Sequence, residues 1–196
     1  MILFKLAYWS GIILQIVIRT PFAMAARSKA KTVQRVSVTE NILLILMTIF
    51  GIVIPLIYSV TGWLDFANYY LPVWLGWFGV LLLAGSLFVF WRAHSDLKTN
   101  WSPSLEIRQD HTLVTHGIYQ YIRHPMYASQ LLFYIAELLL LQNWLAGPLG
   151  LLFFIPFYLL RVQAEEKMMV DTFGSQYAEY KNRVGGILPK LTNSRG

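Results

Sequence analysis

Long apolar segments alternate with shorter polar ones along most of the chain. A membrane-spanning helix needs about 20 mostly apolar residues, and a slightly shorter segment can span a locally thinned bilayer. The pattern therefore predicts an all-α, polytopic membrane protein with five transmembrane helices and a single domain over residues 1–196. The predicted spans cover residues 2–18, 41–60, 72–91, 126–142 and 145–162.

The charged residues outside these spans predict which side of the membrane each polar segment occupies. Cytoplasmic segments carry an excess of Lys and Arg. The segment after the first span is basic, with no acidic residue before Glu40, whereas residues 61–71 contain Asp65 and neither Lys nor Arg. The sequence thus predicts a multi-pass protein of the cell membrane with an external N-terminus. The loop over residues 94–125 and a C-terminal cap over residues 163–196 are both predicted to be cytoplasmic.

Composition supports the membrane assignment and narrows the possible functions. Hydrophobic residues make up 56% of the chain and charged residues 13%, which is far too apolar for a soluble domain of this size. The net charge of +6 arises from basic residues beside the apolar spans, so we assign it to topology and lipid headgroups and expect no nucleic-acid partner. The absence of cysteine excludes disulfides and thiolate nucleophiles.

Candidate chemistry is concentrated between His111 and Tyr127, where the sequence reads HTLVTHGIYQYIRHPMY. A polar, histidine-rich loop containing Gly117 leads into Pro125, and an apolar run follows. Proline suits the first turn of a helix, and a helix start offers N–H groups and a positive dipole end to an anion. We therefore expect a cytoplasmic loop that delivers ligand-binding groups to the start of a buried helix.

A metal site is not expected in this stretch. His111, His116 and His124 lack the spacing of a helical histidine pair, and no cysteine or acidic partner completes a zinc ligand set.

Three acidic or basic residues in and beside the last two spans have two interpretations each. Arg161 and Glu165 are four residues apart and share a helix face, so they form either an ion pair at the membrane interface or part of a ligand site facing the loop. Glu137 lies in mid-span, where a carboxyl group is either functional or a protonated, hydrogen-bonded packing residue.

Together these motifs closely resemble the C-terminal half of the isoprenylcysteine carboxyl methyltransferases, and the short chain with five predicted spans resembles an archaeal member. The resemblance covers about the last 90 residues. The shared motifs are His111-Thr112-Leu113-Val114, Gly117, Tyr119, Arg123-His124-Pro125, Tyr127, Glu165-Glu166, Phe173-Gly174, Tyr177, Tyr180 and Leu188-Pro189.

This resemblance implies S-adenosyl-L-methionine as methyl donor, S-adenosyl-L-homocysteine as product, and carboxyl methylation of a prenylated cysteine that enters from the bilayer. The arginine and glutamate that the family places at its methyl acceptor match Arg161 and Glu165. The family also uses a glutamine seven residues before the first motif histidine, but Ser104 stands there, so that contact is not transferred. The expected cofactor-binding residues are His111, Leu113, Val114, His116, Gly117, Tyr119, Arg123, His124, Pro125, Tyr127 and Glu166.

Other functions are compatible with parts of the same pattern. Phospholipid N-methyltransferases share several motifs, but an ethanolamine nitrogen must first lose a proton, for which Glu165, Glu166 or His116 would have to act as base. NADPH-dependent sterol reductases have a broadly related C-terminal region, and a nonenzymatic membrane scaffold would leave the polar cluster unexplained. The sequence indicates no oligomeric state.

Overall fold

A computed structural model of the chain describes residues 2–27, 38–98 and 112–190, which form helices joined by turns. A π-helical segment, Ile49–Val53, joins α2 to α3 without a break, and short 3-10 turns cover Asp65–Ala67 and Gly117–Gln120. Within these ranges β-structure is limited to two isolated bridges, so the all-α prediction is confirmed. The α-helices are α1 Ile2–Arg27, α2 Val38–Thr48, α3 Ile54–Val60, α4 Val73–Leu97, α5 Pro125–Leu141, α6 Pro148–Phe173 and α7 Ser175–Arg183.

Three helices in the described ranges are long and apolar enough to cross a membrane: Ile2–Ala25, Val38–Val60 and Val73–Leu97. Helix α5 is apolar but shorter, at 17 residues, and α6 is not among the three. The structure therefore supports a membrane protein, while the topology of five spans stays a prediction.

Three helices extend well beyond the predicted spans. Helix α1 continues to Arg27, α4 to Leu97 and α6 to Phe173, so the predicted loop over residues 94–125 begins inside α4. Hydropathy marks the residues that suit the hydrocarbon core, whereas a helix continues wherever its residues favour that conformation. The added stretches are rich in Arg, Ala, Glu, Lys and Met, which are strong helix formers. The predicted spans over residues 2–18, 72–91 and 145–162 therefore stay predictions, and the helices that contain them continue past residues 18, 91 and 162.

The interruption in the second membrane helix is stabilised from α1. Pro55 has no N–H to donate to the Gly51 carbonyl, as a regular helix would require. The Tyr8 hydroxyl donates to that carbonyl instead, and the same hydroxyl lies 3.2 Å from Oε1 of the fully buried Glu137. Because the hydroxyl has one hydrogen, the carboxylic acid of Glu137 supplies the hydrogen of the second contact. This arrangement favours the packing interpretation of Glu137.

Close helix packing and a tight hairpin place the C-terminal half of the chain. An added Cβ at Gly79 of α4 would lie 3.0 Å from Cβ of Leu139 on α5, so the small residue permits the close approach of the two helices. Helix α5 ends at Leu141, and Oδ1 of Asn143 accepts hydrogen bonds from the amides of Leu145 and Ala146 at 3.0 and 3.1 Å. This short connection returns α6 so that its second half lies beside the start of α5.

Candidate functional site

The candidate site forms where the Gly117–Gln120 turn, the start of α5 and the second half of α6 meet. Pro125 is the first residue of α5, as predicted from the sequence. Gly117 has a φ of +63°, and a Cβ at this position would lie 2.2 Å from Oδ2 of Asp96. The next amide, that of Ile118, donates to the same Asp96 oxygen at 2.7 Å. Only glycine fits this anchoring of the turn to the end of α4.

The half-buried carboxylate of Glu166 contacts both Arg123 and His124 and holds them in place. Its Oε1 accepts hydrogen bonds from Arg123 Nη2 at 2.7 Å and from His124 Nε2 at 3.0 Å, and its Oε2 lies 2.5 Å from Lys181 Nζ. The bond from His124 is the largest cause, followed by Lys181 and Arg123, of a pKa of Glu166 well below the ordinary range, although burial opposes that shift. Glu166 is therefore an ionised organiser of the site.

Backbone contacts add to this attachment of the C-terminal segment. The amide of Arg123 donates to the Gly185 carbonyl at 2.8 Å, and the amide of His124 donates to the Gly186 carbonyl at 3.1 Å. The guanidinium of Arg123 also donates to the carbonyls of Lys181 and Val184. The segment after α6 thus closes over the motif that precedes α5.

The neighbouring carboxylate, Glu165, contacts the other side of the motif. Its Oε2 accepts a hydrogen bond from the Tyr127 hydroxyl at 2.8 Å, and its Oε1 lies 3.8 Å from Nδ1 of His124. His124 is buried, and its Nδ1 has no hydrogen-bond partner within the described ranges. With Nε2 committed to Glu166, this second ring nitrogen is the one available to a ligand.

Arg161 lies on the same face of α6 and makes a long-range ion pair. Its Nη1 contacts Oε1 of Glu40, a buried residue in the first turn of α2. The Tyr127 hydroxyl donates to Glu165, one helical turn after Arg161, and Tyr127 and Arg161 both line the same cavity. The spacing of Arg161 and Glu165 suggested either an ion pair between them or part of a ligand site. Neither interpretation included the partner that each of these side chains has on another helix.

These groups surround a cavity of about 490 Å³ between α1, α2, α4, α5, α6 and α7. That volume lies within the range of small-molecule sites. The cavity brings together most of the predicted site residues, namely Leu113, Val114, Tyr119, Arg123, His124, Pro125, Tyr127, Arg161 and Glu165. His116, Gly117 and Glu166 are not among the described residues that line it, and His111 lies outside the described ranges.

Apolar side chains line one wall of the cavity, and polar side chains line another wall. Its apolar wall comes from α1, α2 and α6 and includes Ile12, Leu44, Met47, Phe154 and Phe157. At its polar wall, burial raises the pKa of the Tyr177 and Tyr180 hydroxyls above the ordinary value, so both stay neutral at physiological pH. Such a cavity can hold an apolar chain and a charged head group side by side.

Several lining residues were not predicted as part of the site. Gln15 and Arg19 line the cavity from α1, and His94 lines it from a position that the sequence assigned to a loop. The sequence did contain a signal for two of these residues. Gln15 interrupts the first apolar segment, and Arg19 lies four residues later on the same helix face.

Comparisons with known proteins agree with this geometry. A family model, that of the isoprenylcysteine carboxyl methyltransferase (ICMT) family, matches residues 77–171. The chain is 38% identical over 84 residues to the protein-S-isoprenylcysteine O-methyltransferase of Tribolium castaneum, covering 43% of this chain and 30% of that protein. The corresponding Homo sapiens protein is 29% identical over 140 residues, covering 67% of this chain and 49% of that protein.

A solved structure of the eukaryotic intramembrane Ras methyltransferase (isoprenylcysteine carboxyl methyltransferase) is similar with a TM-score of 0.55 and 25% identity, covering 78% of this chain and 51% of that chain. The resemblance predicted from the motifs is thus confirmed, and the chain is an integral membrane protein with this type of fold. The matches span about a third to a half of the length of these relatives.

Proposed function

We propose that this chain methylates the C-terminal carboxylate of a prenylated cysteine with S-adenosyl-L-methionine as donor, giving a methyl ester. The observation that carries the proposal is the cavity itself. It joins the motif residues Leu113, Val114, Tyr119 and 123–127 to Arg161 and Glu165, and it has an apolar wall beside a charged one. The names of the similar proteins support the same activity.

The residues present fit the proposed methyl donor. His124 Nδ1 is a buried ring nitrogen without a hydrogen-bond partner in the described ranges. Residues 125–127 of the first turn of α5 line the cavity, where a helix start favours a negatively charged group such as the donor carboxylate. Glu165 supplies a negative charge that suits a sulfonium. Residues Leu113, Val114, His124 and Tyr127 would therefore hold the donor.

The proposed acceptor needs positioning more than activation. A C-terminal carboxylate has an ordinary pKa of about 3.5, so it is already ionised at neutral pH and needs no general base. When bound, the donor supplies its methyl group in one displacement, in which the carboxylate oxygen bonds to the methyl carbon and the C–S electron pair returns to sulfur. Alignment of this kind is worth effective molarities of about 10⁵ M or more.

Arg161 is proposed to align the acceptor carboxylate. A guanidinium binds a carboxylate through charge-assisted hydrogen bonds, and its planar fork fixes orientation as well as distance. The ion pair with Glu40 already holds Arg161 at the cavity, so the group is pre-organised before substrate binds. Glu165, one helical turn further along α6, is held by the Tyr127 hydroxyl.

The membrane topology is part of the proposal. Five spans with a cytoplasmic active site place the polar end of the cavity toward the aqueous donor and its apolar wall toward the bilayer. The basic segments that flank the predicted spans support this orientation.

The test is methyl transfer by the purified, detergent-solubilised protein from radiolabelled S-adenosyl-L-methionine. N-acetyl-S-farnesylcysteine serves as one acceptor and phosphatidylethanolamine as the parallel one, with donor binding followed by calorimetry. A base-labile methyl ester on the prenylcysteine is the expected product. Label on the lipid amine alone would replace the proposal with phospholipid N-methylation, and NADPH binding without donor binding would overturn the methyltransferase class.

A further inference from the structure

Helix α1 contributes two polar side chains to the cavity that no motif includes. Gln15 and Arg19 are one helical turn apart and both line it, together with the apolar side chains of Ile12 and Ile16. The stretch matched by the family model begins at residue 77, so α1 lies outside it. Polar and charged side chains of a mostly apolar membrane helix that line a cavity are candidates for ligand binding.

Gln15 presents a hydrogen-bond donor to the cavity. Its Nε2 is buried and has no hydrogen-bond partner within the described ranges. A buried amide without a partner is unfavourable, and the great majority of such groups in proteins are paired. A carbonyl oxygen on a bound ligand would satisfy this donor, whereas a hydrocarbon chain would not.

Arg19 adds positive charge to the polar end of the cavity. Arg161 lines the same cavity from α6, so two guanidinium groups from different helices face one space. One turn further along α1, the ring of Phe22 lies 5.3 Å from the ring of His94, which attaches this end of α1 to α4. A carboxylate in this space could accept charge-assisted hydrogen bonds from both guanidinium groups.

We infer that Arg19 and Gln15 recognise the terminal cysteine of the acceptor. Arg19 contacts its carboxylate together with Arg161, and Gln15 Nε2 donates to the carbonyl of the amide that precedes it. In the acceptor these two groups are separated only by the amide nitrogen and Cα. The inference rests on the proposed function and names the chemical groups that the site selects: a free carboxylate with an adjacent amide.

Three small ligands separate the two assigned contacts. N-acetyl-S-farnesylcysteine carries both the carboxylate and the amide. S-farnesylthiopropionic acid keeps the carboxylate and lacks the amide, whereas N-acetyl-S-farnesylcysteamine keeps the amide and lacks the carboxylate. Binding of each is measured by calorimetry in the presence of S-adenosyl-L-homocysteine, for the parent protein and for variants of α1.

The variants are Arg19→Gln, Arg19→Lys and Gln15→Leu, with Val17→Leu on the exposed face of α1 as control. Arg19→Gln is expected to weaken binding of both carboxylates about tenfold, to leave the cysteamine ligand unchanged, and to be partly rescued by Arg19→Lys. Gln15→Leu is expected to weaken both amide ligands several-fold and to leave the thiopropionic acid unchanged.

Donor affinity serves as the check on folding and is expected to stay within twofold of the parent protein for every variant. An equal loss for all three ligands, or a loss of donor affinity, would mean that α1 is only structural and would overturn the inference. Unchanged binding of all three ligands would overturn it as well. Failure of the parent protein to bind or methylate any prenylated carboxylate would instead overturn the proposed function, and the inference with it.

Discussion

Replacing Glu166 by glutamine tests whether this one carboxylate organises the site. The substitution keeps the shape of the side chain and removes the charge that Arg123, His124 and Lys181 share. Helix α6 itself does not need the charge, since glutamine and glutamate have similar helix propensities. We therefore expect the effect to appear where the C-terminal segment closes over the start of α5.

The structure sets the size of this effect. The side chains of Arg123 and Glu166 are 11% and 15% exposed, so the pair is largely shielded but not fully buried, and removing one partner costs toward the lower end of the about 3–5 kcal/mol typical of buried pairs. Lys181 is 47% exposed, so its contact contributes at most about 1 kcal/mol. Because the amide oxygen still accepts one hydrogen bond, we expect a loss of about 3 kcal/mol, which corresponds to about 100-fold in the local opening equilibrium.

Hydrogen exchange measures that opening directly. The amides of Arg123 and His124, which donate to the carbonyls of Gly185 and Gly186, should exchange about 100-fold faster in Glu166→Gln, with weaker donor binding in parallel. Glu179→Gln, the same change at an exposed position on α7, is the control and should change neither. Unaltered protection of the two amides in Glu166→Gln would refute the assigned role.

Three further predictions concern pH, backbone conformation and the acceptor. Because the folded pKa of Glu166 is depressed, its contribution to stability is present above the ordinary pKa of about 4.5 and is lost as the pH falls toward the folded value, so thermal denaturation of the parent protein should show a steeper acid-side loss than Glu166→Gln. Gly117→Ala places a Cβ against Asp96 and should lower stability and donor affinity, whereas Gly174→Ala, with a similar φ of +54° and no atom within 4 Å, should cost only about 1–2 kcal/mol in a denaturation assay. Comparable losses for the two glycines would show that the contact with Asp96 is unimportant. Arg161→Ala should reduce turnover by at least about 100-fold in the methyl-transfer assay while donor affinity by calorimetry is kept, and an equal loss of donor affinity would contradict its role at the acceptor.

Short sequence patterns predicted those features of the fold that depend on interactions between residues close together in the chain. Pro125 begins α5 because its fixed φ and missing N–H suit the first helical turn, and the sequence shows this directly. The ends of α1, α4 and α6 were not predictable in this way, because hydropathy reports the thickness of the hydrocarbon core rather than the length of a helix.

The sequence predicted most of the residues that form the site, but not the contacts that those residues make. The motif residues and the α6 pair Arg161 and Glu165 line one cavity, but the partner of Arg161 is Glu40, which lies 121 residues away in sequence. Spacing rules relate residues three or four positions apart in a helix, so they cannot predict an ion pair between residues so far apart in the sequence. Glu166 was expected to bind a ligand, and the structure instead places its oxygens on three side chains of the protein itself.

The contact between Tyr8, the Gly51 carbonyl and Glu137 also has a consequence for assembly in the bilayer. On the proposed topology, α1 and the helix containing Gly51 are synthesised first, so the hydroxyl and the carbonyl are already in place when the ribosome delivers α5. Glu137 then enters with a waiting partner, which offsets part of the cost, about 2.5–3.5 kcal/mol, of an acidic residue at the centre of a membrane helix. The order of the helices along the chain thereby becomes a condition for inserting the buried carboxyl.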